Sequence, residues 1–262
     1  MKKPKSDYAI QTVSNALRVL AAFRDQDEIG VAELSRRLGL HKNNVFRLLA
    51  TLEEEGYIEQ SEATERYRLG LSSLELGQSF ARSRTLLAQA RPILAELSAG
   101  CGESSHLGMI DADEVVHVDG RVPERLVITR LRVGNRLPVH CTALGKVLLG
   151  CAPEQEWQRF HRALSSGRTL DPRTRHTIVD PDKFFEHLRT VAGQGFALDL
   201  EECEEGLGCV AAPIRDATGE VVAAFSVSAP TFRASEEDLL ARIAPSVTTA
   251  AARLSSELGW VH

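Results

Sequence analysis

Four side chains at the head of one amphipathic segment, Lys42, Asn43, Asn44 and Arg47, are of the types that read duplex DNA. Arginine can hold O6 and N7 of guanine with two hydrogen bonds, and asparagine can pair with N6 and N7 of adenine; each such pair discriminates by about 1–3 kcal/mol. The period of the segment is helical. Val45, Leu48, Leu49 and Leu52 repeat at i, i+3, i+4 and i+7 and therefore face a core. A step of about 100° per residue puts Asn43, Arg47, Ala50 and Glu54 on the opposite side, with Asn44 and Phe46 on the flanks. Ala50 is small enough to let the helix approach base edges, while His41 and Lys42 occupy the N-terminal end that a recognition helix points into the groove. Arg66 and Arg68 follow on a predicted hairpin, placed for phosphates or an adjoining minor groove. Glu53, Glu54 and Glu55 are expected to face away from the DNA backbone, which would repel them. Any one of these polar residues alone reads as solvated surface; the pattern as a whole points to double-stranded DNA.

Catalysis and metal binding are weaker readings. The five cysteines, at 101, 141, 151, 203 and 209, show no CxxC spacing, which fits reduced thiols better than a disulfide framework. Cys209 alone, with no base placed for it, is a poor nucleophile candidate. His106, His117, His140 and Cys141 are the only residues that suggest a metal, and His140 and Cys141 are adjacent, so in a strand they point apart. No metal, no cofactor and no enzymatic activity are expected.

The elements that must position the reading helix are visible around it. Val13, Leu17, Leu20 and Phe23, with Ala16 and Ala21, mark a first helix, predicted to turn that stripe inward. Val31, Leu34 and Leu38 mark a second, which stops at Gly39. The third ends at Gly56, and two short strands, 57–59 and 67–69, flank a polar tip. Three helices and a hairpin outline a winged helix-turn-helix. Residues 71–98 read as a helical linker, with a kink or restart expected near Ala90 because Pro92 removes a helical hydrogen bond. Beyond it, strand runs at 105–110, 115–118, 126–131, 196–198, 209–214 and 221–227 alternate with helical runs at 143–149, 153–164 and 180–192. A last helix is expected from Ser235, capped by Asp238, to about Leu258. Near turns between strand pairs favour an antiparallel sheet with packed helices, an α+β domain. The predicted divisions are 8–70, 71–98 and 99–260.

Composition agrees with this and excludes much else. In 262 residues, 43% apolar and 26% charged side chains are too globular for a disordered chain. No apolar run reaches the ~18 residues that span a bilayer, and the basic first residues lack the apolar core of a secretory signal; a cytoplasmic protein without membrane contact is expected. The net charge of −5 hides a gradient, because residues 1–47 hold nine basic side chains against five acidic ones. Local charge governs phosphate contacts, since screening limits each to roughly 8–10 Å.

Several ordered motifs resemble the IclR family of bacterial transcription regulators: Ala-Leu-Arg-Val-Leu (16–20), Glu-Leu-Ser-Arg-Arg-Leu-Gly-Leu (33–40), Arg-Leu-Leu-Ala-Thr-Leu (47–52) and Tyr-Arg-Leu-Gly (67–70) in the first part. In the second part they are Arg-Leu-Pro-Val-His-Cys-Thr-Ala-Leu-Gly-Lys (136–146), Glu-Gly-Leu-Gly-Cys-Val-Ala-Ala-Pro-Ile (205–214) and Ala-Ala-Phe-Ser-Val-Ser-Ala-Pro (223–230). The resemblance spans about Val13 to Leu258. It implies a winged helix-turn-helix, a helical linker and a GAF-like effector domain, assembled as dimers or tetramers on palindromic operators, with repression the commoner sign and activation the alternative. An enzyme built on the GAF-like domain and using Cys209 is the remote alternative. Relatives commonly start the recognition helix with Ser or Thr where Asn43 and Asn44 stand here, so no operator sequence can be carried across.

The resemblance also implies a small-molecule effector pocket at Ala143, Leu144, Asp199, Cys209, Ser226 and Ser228, with Leu126, Leu137 and Leu207 as apolar wall. The residue types suit that role. A strand-to-helix entry over 140–146 offers free amides to an anion, and Ser226 and Ser228 share one face of a strand. A carboxylate would sit at the amide end, away from Asp199, which would take a hydroxyl or amide; a polyol or cation held by Asp199 is the competing expectation. The acidic run at Asp199, Glu201, Glu202, Glu204 and Glu205 reads otherwise as solvated loop.

Overall fold

The computed structural model describes residues 9–24, 26–83, 85–123 and 133–261. The chain divides into two compact units, 1–84 and 85–262. The region predicted as a linker is shared between them: helix α4 (Leu71–Ser83) falls in the first unit and helix α5 (Thr85–Cys101) in the second. Among the described residues no helix is long and apolar enough to cross a membrane.

The first unit is built from α1 (Gln11–Ala21), α2 (Val31–Leu38) and α3 (Lys42–Glu54), followed by the hairpin β1 (Ile58–Gln60) and β2 (Tyr67–Leu69). Gly39 ends α2 in the left-handed conformation, φ +66°, and the turn into α3 is held by the Ser35 hydroxyl, which donates to the Leu40 carbonyl. Ile29 pairs with Tyr67 through two backbone hydrogen bonds, at 2.9 and 3.0 Å, so the segment before α2 anchors the hairpin. The core joins Val19, Phe23, Ile29, Leu34, Val45, Leu49, Leu52, Ile58 and Tyr67. One expectation holds only in part. Val13 and Leu17 are exposed, whereas Phe23, just past α1, is buried with Val19, and Ala16 and Leu20 pack at the edge of the core. The predicted stripe is thus buried only at its C-terminal end, at Leu20 and Phe23, where Val19 joins it.

The second unit contains a six-stranded antiparallel sheet in the order β5-β4-β3-β8-β7-β6. Its strands are β3 (Ser104–Asp111), β4 (Glu114–Arg121), β5 (Arg136–Pro138), β6 (Ala197–Leu200), β7 (Leu207–Arg215) and β8 (Val221–Pro230). Helices α6 (Ala143–Gly150), α7 (Glu154–Ser165) and α8 (Pro181–Gln194) pack a core of Val147, Phe160, Phe184, Leu188 and Val191 onto Ala197, Ala211 and Ala224 of the sheet. The β3–β4 turn uses Ala112 at φ +56°. Strand β5 lies at the sheet edge and ends in Pro138, where a missing N–H is tolerated; its three residues are too few to leave a period in the sequence. The predicted run 126–131, and with it Leu126, lies outside the described residues. Pro92 does not restart the helix: α5 is continuous through it, with Ala90, Ile93, Leu94 and Leu97 all buried around it. The final helical segment opens at α9 (Glu236–Asp238) with the expected Ser235/Asp238 capping box, widens to a π-helical turn over Leu239–Ile243 and continues as α10 (Ala244–Glu257).

Candidate functional site

Helix α3 presents the predicted outward set. His41 caps it, its Nδ1 accepting from the Asn43 amide at 3.4 Å. Lys42, Asn43, Asn44, Arg47 and Ala50 are exposed, while Val45, Leu49 and Leu52 are buried and Leu48 is half-buried. Among the described residues neither Lys42 nor Arg47 enters an ion pair, which leaves both cations available to a polyanion. Glu53 is turned toward the hairpin, where its carboxylate accepts from the Gln60 amide at 3.0 Å. The two hairpin arginines are both paired within the unit. Arg66 reaches back to the Glu28 carbonyl (2.9 Å) and to Glu33 (3.0 Å), so it braces the hairpin against α2. Arg68 pairs across the strands with Glu59 at 2.6 Å, both half-exposed. A surface pair of this kind is worth about 0–1 kcal/mol and exchanges easily for a phosphate.

In the second unit the sheet register assembles the predicted pocket. Asp199 on β6 pairs with Cys209 on β7, and Cys209 pairs with Ser228 on β8. These three therefore form a lateral row on one face, with the Cys209 thiol donating to the Ser228 hydroxyl at 3.2 Å. Two residues along, Ser226 faces the same way between Ala211 and His106. The N-terminus of α6 covers this row. Thr142 caps the helix, its hydroxyl accepting from the Gly145 amide (3.1 Å) and donating to the Pro138 carbonyl (3.0 Å). Gly145 is required at this joint because a side-chain carbon would collide with the backbone of Val139. The resulting pocket brings together Leu137, Ala143, Leu144, Asp199, Leu207, Cys209, Ser226 and Ser228, all expected, and adds His117, Thr142 and Cys203. The space left among these side chains is about 30 Å³, room for roughly one water molecule, so a larger ligand enters only as the walls part.

The electrostatics beneath the pocket were not legible beforehand. Asp199 is buried, and its carboxylate accepts from the Glu202 and Cys203 amides at 2.8 and 3.3 Å. Burial pushes its carboxyl up to about 7; Glu202 adds to the rise, while Lys146 and the two amides oppose it. Lys146 on α6 is fully buried and forms an ion pair with Glu202. Glu202 is thus no solvated loop residue, as the acidic run had suggested, but the partner of a buried ammonium. Burial raises its carboxyl too, with Lys146 pulling the other way. His187 is held neutral, its ring lowered to about 4 by burial and by Lys146. Lys146 and Glu202 are 56 positions apart, and nothing local marks them as a pair.

The residues of the metal reading do not come together as one set. His140 faces the Asp171 carbonyl at 3.0 Å, Cys141 packs with Leu137 and Cys203, and the rings of His106 and His117 meet edge to face. Among the described residues no three His, Cys, Asp or Glu side chains are grouped to hold a metal ion.

A helix-turn-helix head joined in one chain to an α+β unit with a small pocket over its sheet defines the class of DNA-binding transcription regulators that respond to small molecules. The chain belongs to the IclR family of bacterial transcriptional regulators. The profile of the family's C-terminal domain, bacterial transcriptional regulator IclR C-terminal, matches residues 78–256, and that of the IclR helix-turn-helix domain matches 12–62. The chain is 35% identical over 259 residues to the HTH-type transcriptional regulator KdgR of Dickeya chrysanthemi, covering 99% of this chain and 82% of that protein. It is also 35% identical over 252 residues to the HTH-type transcriptional regulator XynR of Escherichia coli, covering 96% and 98%. Among solved structures, an IclR transcriptional regulator from Alicyclobacillus acidocaldarius superposes with a TM-score of 0.84 at 26% identity, covering 95% of this chain and 99% of the other.

Proposed function

We propose that this regulator is a cytoplasmic repressor that holds a palindromic operator through α3 as a dimer or tetramer and changes its grip when a small metabolite enters the pocket. Lys42, Asn43, Asn44 and Arg47 read the major groove, and Arg68, with Arg66 behind it, meets the sugar-phosphate backbone. The observation that carries the ligand assignment is the in-register row Asp199–Cys209–Ser228 facing the amide end of α6. Such an arrangement suits a small carboxylate bearing a hydroxyl, or a polyol: an anion at the helix amides and hydroxyls at Asp199 and the serines. Leu126, Leu137 and Leu207 supply apolar wall. Cys209 is engaged with Ser228, and no catalytic step is assigned to it. Self-association is supported by large apolar side chains left exposed on α1 (Val13, Leu17) and α4 (Leu71, Leu74, Leu76).

The test uses the full chain. A thermal-shift screen of small carboxylates, polyols and aromatic acids should yield compounds that raise the melting temperature, because a ligand of the native state alone stabilises it. Those compounds should change affinity for promoter duplexes by about 5–150-fold, the usual range of allosteric coupling. Affinity for DNA should fall steeply as salt rises, since bound Lys and Arg displace counterions. Arg47→Ala should relax base preference, whereas Arg68→Ala should weaken all sequences alike. Promoter binding that ignores both salt and Arg47→Ala would refute the reading.

A further inference from the structure

Phe46 is not explained by the packing of the first unit. It lies in the middle of α3 beside the fully buried Val45, yet it is 57% exposed and stands outside the hydrophobic core. Among the described residues it is the only large apolar side chain exposed on α3. Residues three and four apart on a helix are surface neighbours, so Phe46 adjoins Asn43 on one side and Ala50 on the other, at the flank of the outward face. In the major groove the base edges offer one apolar group, the C5-methyl of thymine. We propose that Phe46 is a specificity-determining residue whose ring packs on thymine methyl groups next to the base pairs read by Asn43 and Arg47. The inference rests on the assignment of α3 as the DNA-reading helix.

The ring can make no hydrogen bond to a base edge. Opposite cytosine it would cover an N4 donor without pairing it, and opposite guanine two acceptors; thymine alone presents a surface that gains from apolar contact. Asn43 and Phe46 together would therefore favour adjoining adenine and thymine on one strand, with Arg47 setting a guanine nearby.

Duplexes are selected from a random pool with the full-length chain. Affinity is then measured by fluorescence anisotropy for each enriched site and for versions in which single thymines are replaced by deoxyuridine, which removes the methyl and nothing else. For the unsubstituted protein at least one such replacement should weaken binding about fourfold, the equivalent of ~0.8 kcal/mol for a buried methyl. Phe46→Ala should bind the thymine and deoxyuridine duplexes equally, and Phe46→Leu should keep part of the difference. Because Phe46 is outside the core, neither variant should unfold the head. The proposal is overturned if no thymine is sensitive to loss of its methyl, if the sensitivity survives Phe46→Ala undiminished, or if Phe46→Ala alters self-association and leaves DNA affinity unchanged. Arg47→Ala separates the two levels. Loss of guanine preference with the methyl effect retained supports both assignments, while unchanged affinity of Arg47→Ala for every site removes the reading face, and Phe46 with it. A pool that shows no enrichment does the same.

Discussion

Replacing Asp199 by asparagine isolates the cost of burying one carboxyl. Asn keeps the shape and the acceptor oxygen that receives the Glu202 and Cys203 amides, but it cannot ionise. In the folded chain burial holds Asp199 at about 7, against an ordinary value of 3.8. The difference is about three units, and at 1.36 kcal/mol per unit it corresponds to about 4 kcal/mol. The sign follows from linkage. A carboxyl whose folded pKa is raised binds its proton more tightly when folded, so its contribution is fully present below pH ~4 and is lost as pH rises to about 7. The stability of the Asn variant relative to the parent should therefore climb by about 4 kcal/mol between pH 4 and pH 8, most of it from 5 to 7. Both tryptophans, Trp157 and Trp260, lie in the second unit, so urea unfolding followed by their fluorescence reports that unit alone. A difference curve flat to within ~1 kcal/mol, or one falling toward pH 8, would refute the reasoning that Asp199 is a desolvated acid.

Lys146→Met should cost about 3–5 kcal/mol at neutral pH because it strands the Glu202 carboxylate in the interior; adding Glu202→Leu should recover most of that in the same urea assay. Gly145→Ala should force the strand–helix joint apart at Val139, lowering stability by about 1–3 kcal/mol and abolishing every ligand-induced thermal shift. Arg66→Ala should destabilise the first unit by about 1 kcal/mol through its lost bonds to Glu28 and Glu33, seen as faster amide exchange of Tyr67.

The reading helix was legible because its signals are local and mutually consistent: Gly39 and Gly56 bound it, and four apolar residues at helical spacing fix the outward face. The pocket's strand residues were legible through motifs, and parity alone put Ser226 and Ser228 on one face. What stayed hidden depends on register or on distance. The alignment of Asp199 with Cys209 and Ser228 is a property of how three strands pair, and the Lys146–Glu202 contact joins segments with no shared pattern. For α1 the apolar spacing did not separate Val19, which is buried, from Val13 and Leu17, which are exposed. At Pro92 the helix continues where the local signal alone allowed a restart, with apolar residues buried on either side of it.

The centre of the six-stranded sheet is the pairing of β3 with β8, in which Ser104 meets Ser228 across 124 residues of chain. Strands that close so long a loop pair late. A ribosome making this protein must finish nearly all of it before the sheet can form, whereas the reading head is complete after its first 84 residues and is expected to fold as it emerges. The nascent chain would then acquire its affinity for DNA before its ability to sense a metabolite. Arrested chains truncated before residue 221 should accordingly carry a protease-resistant head and a digestible remainder.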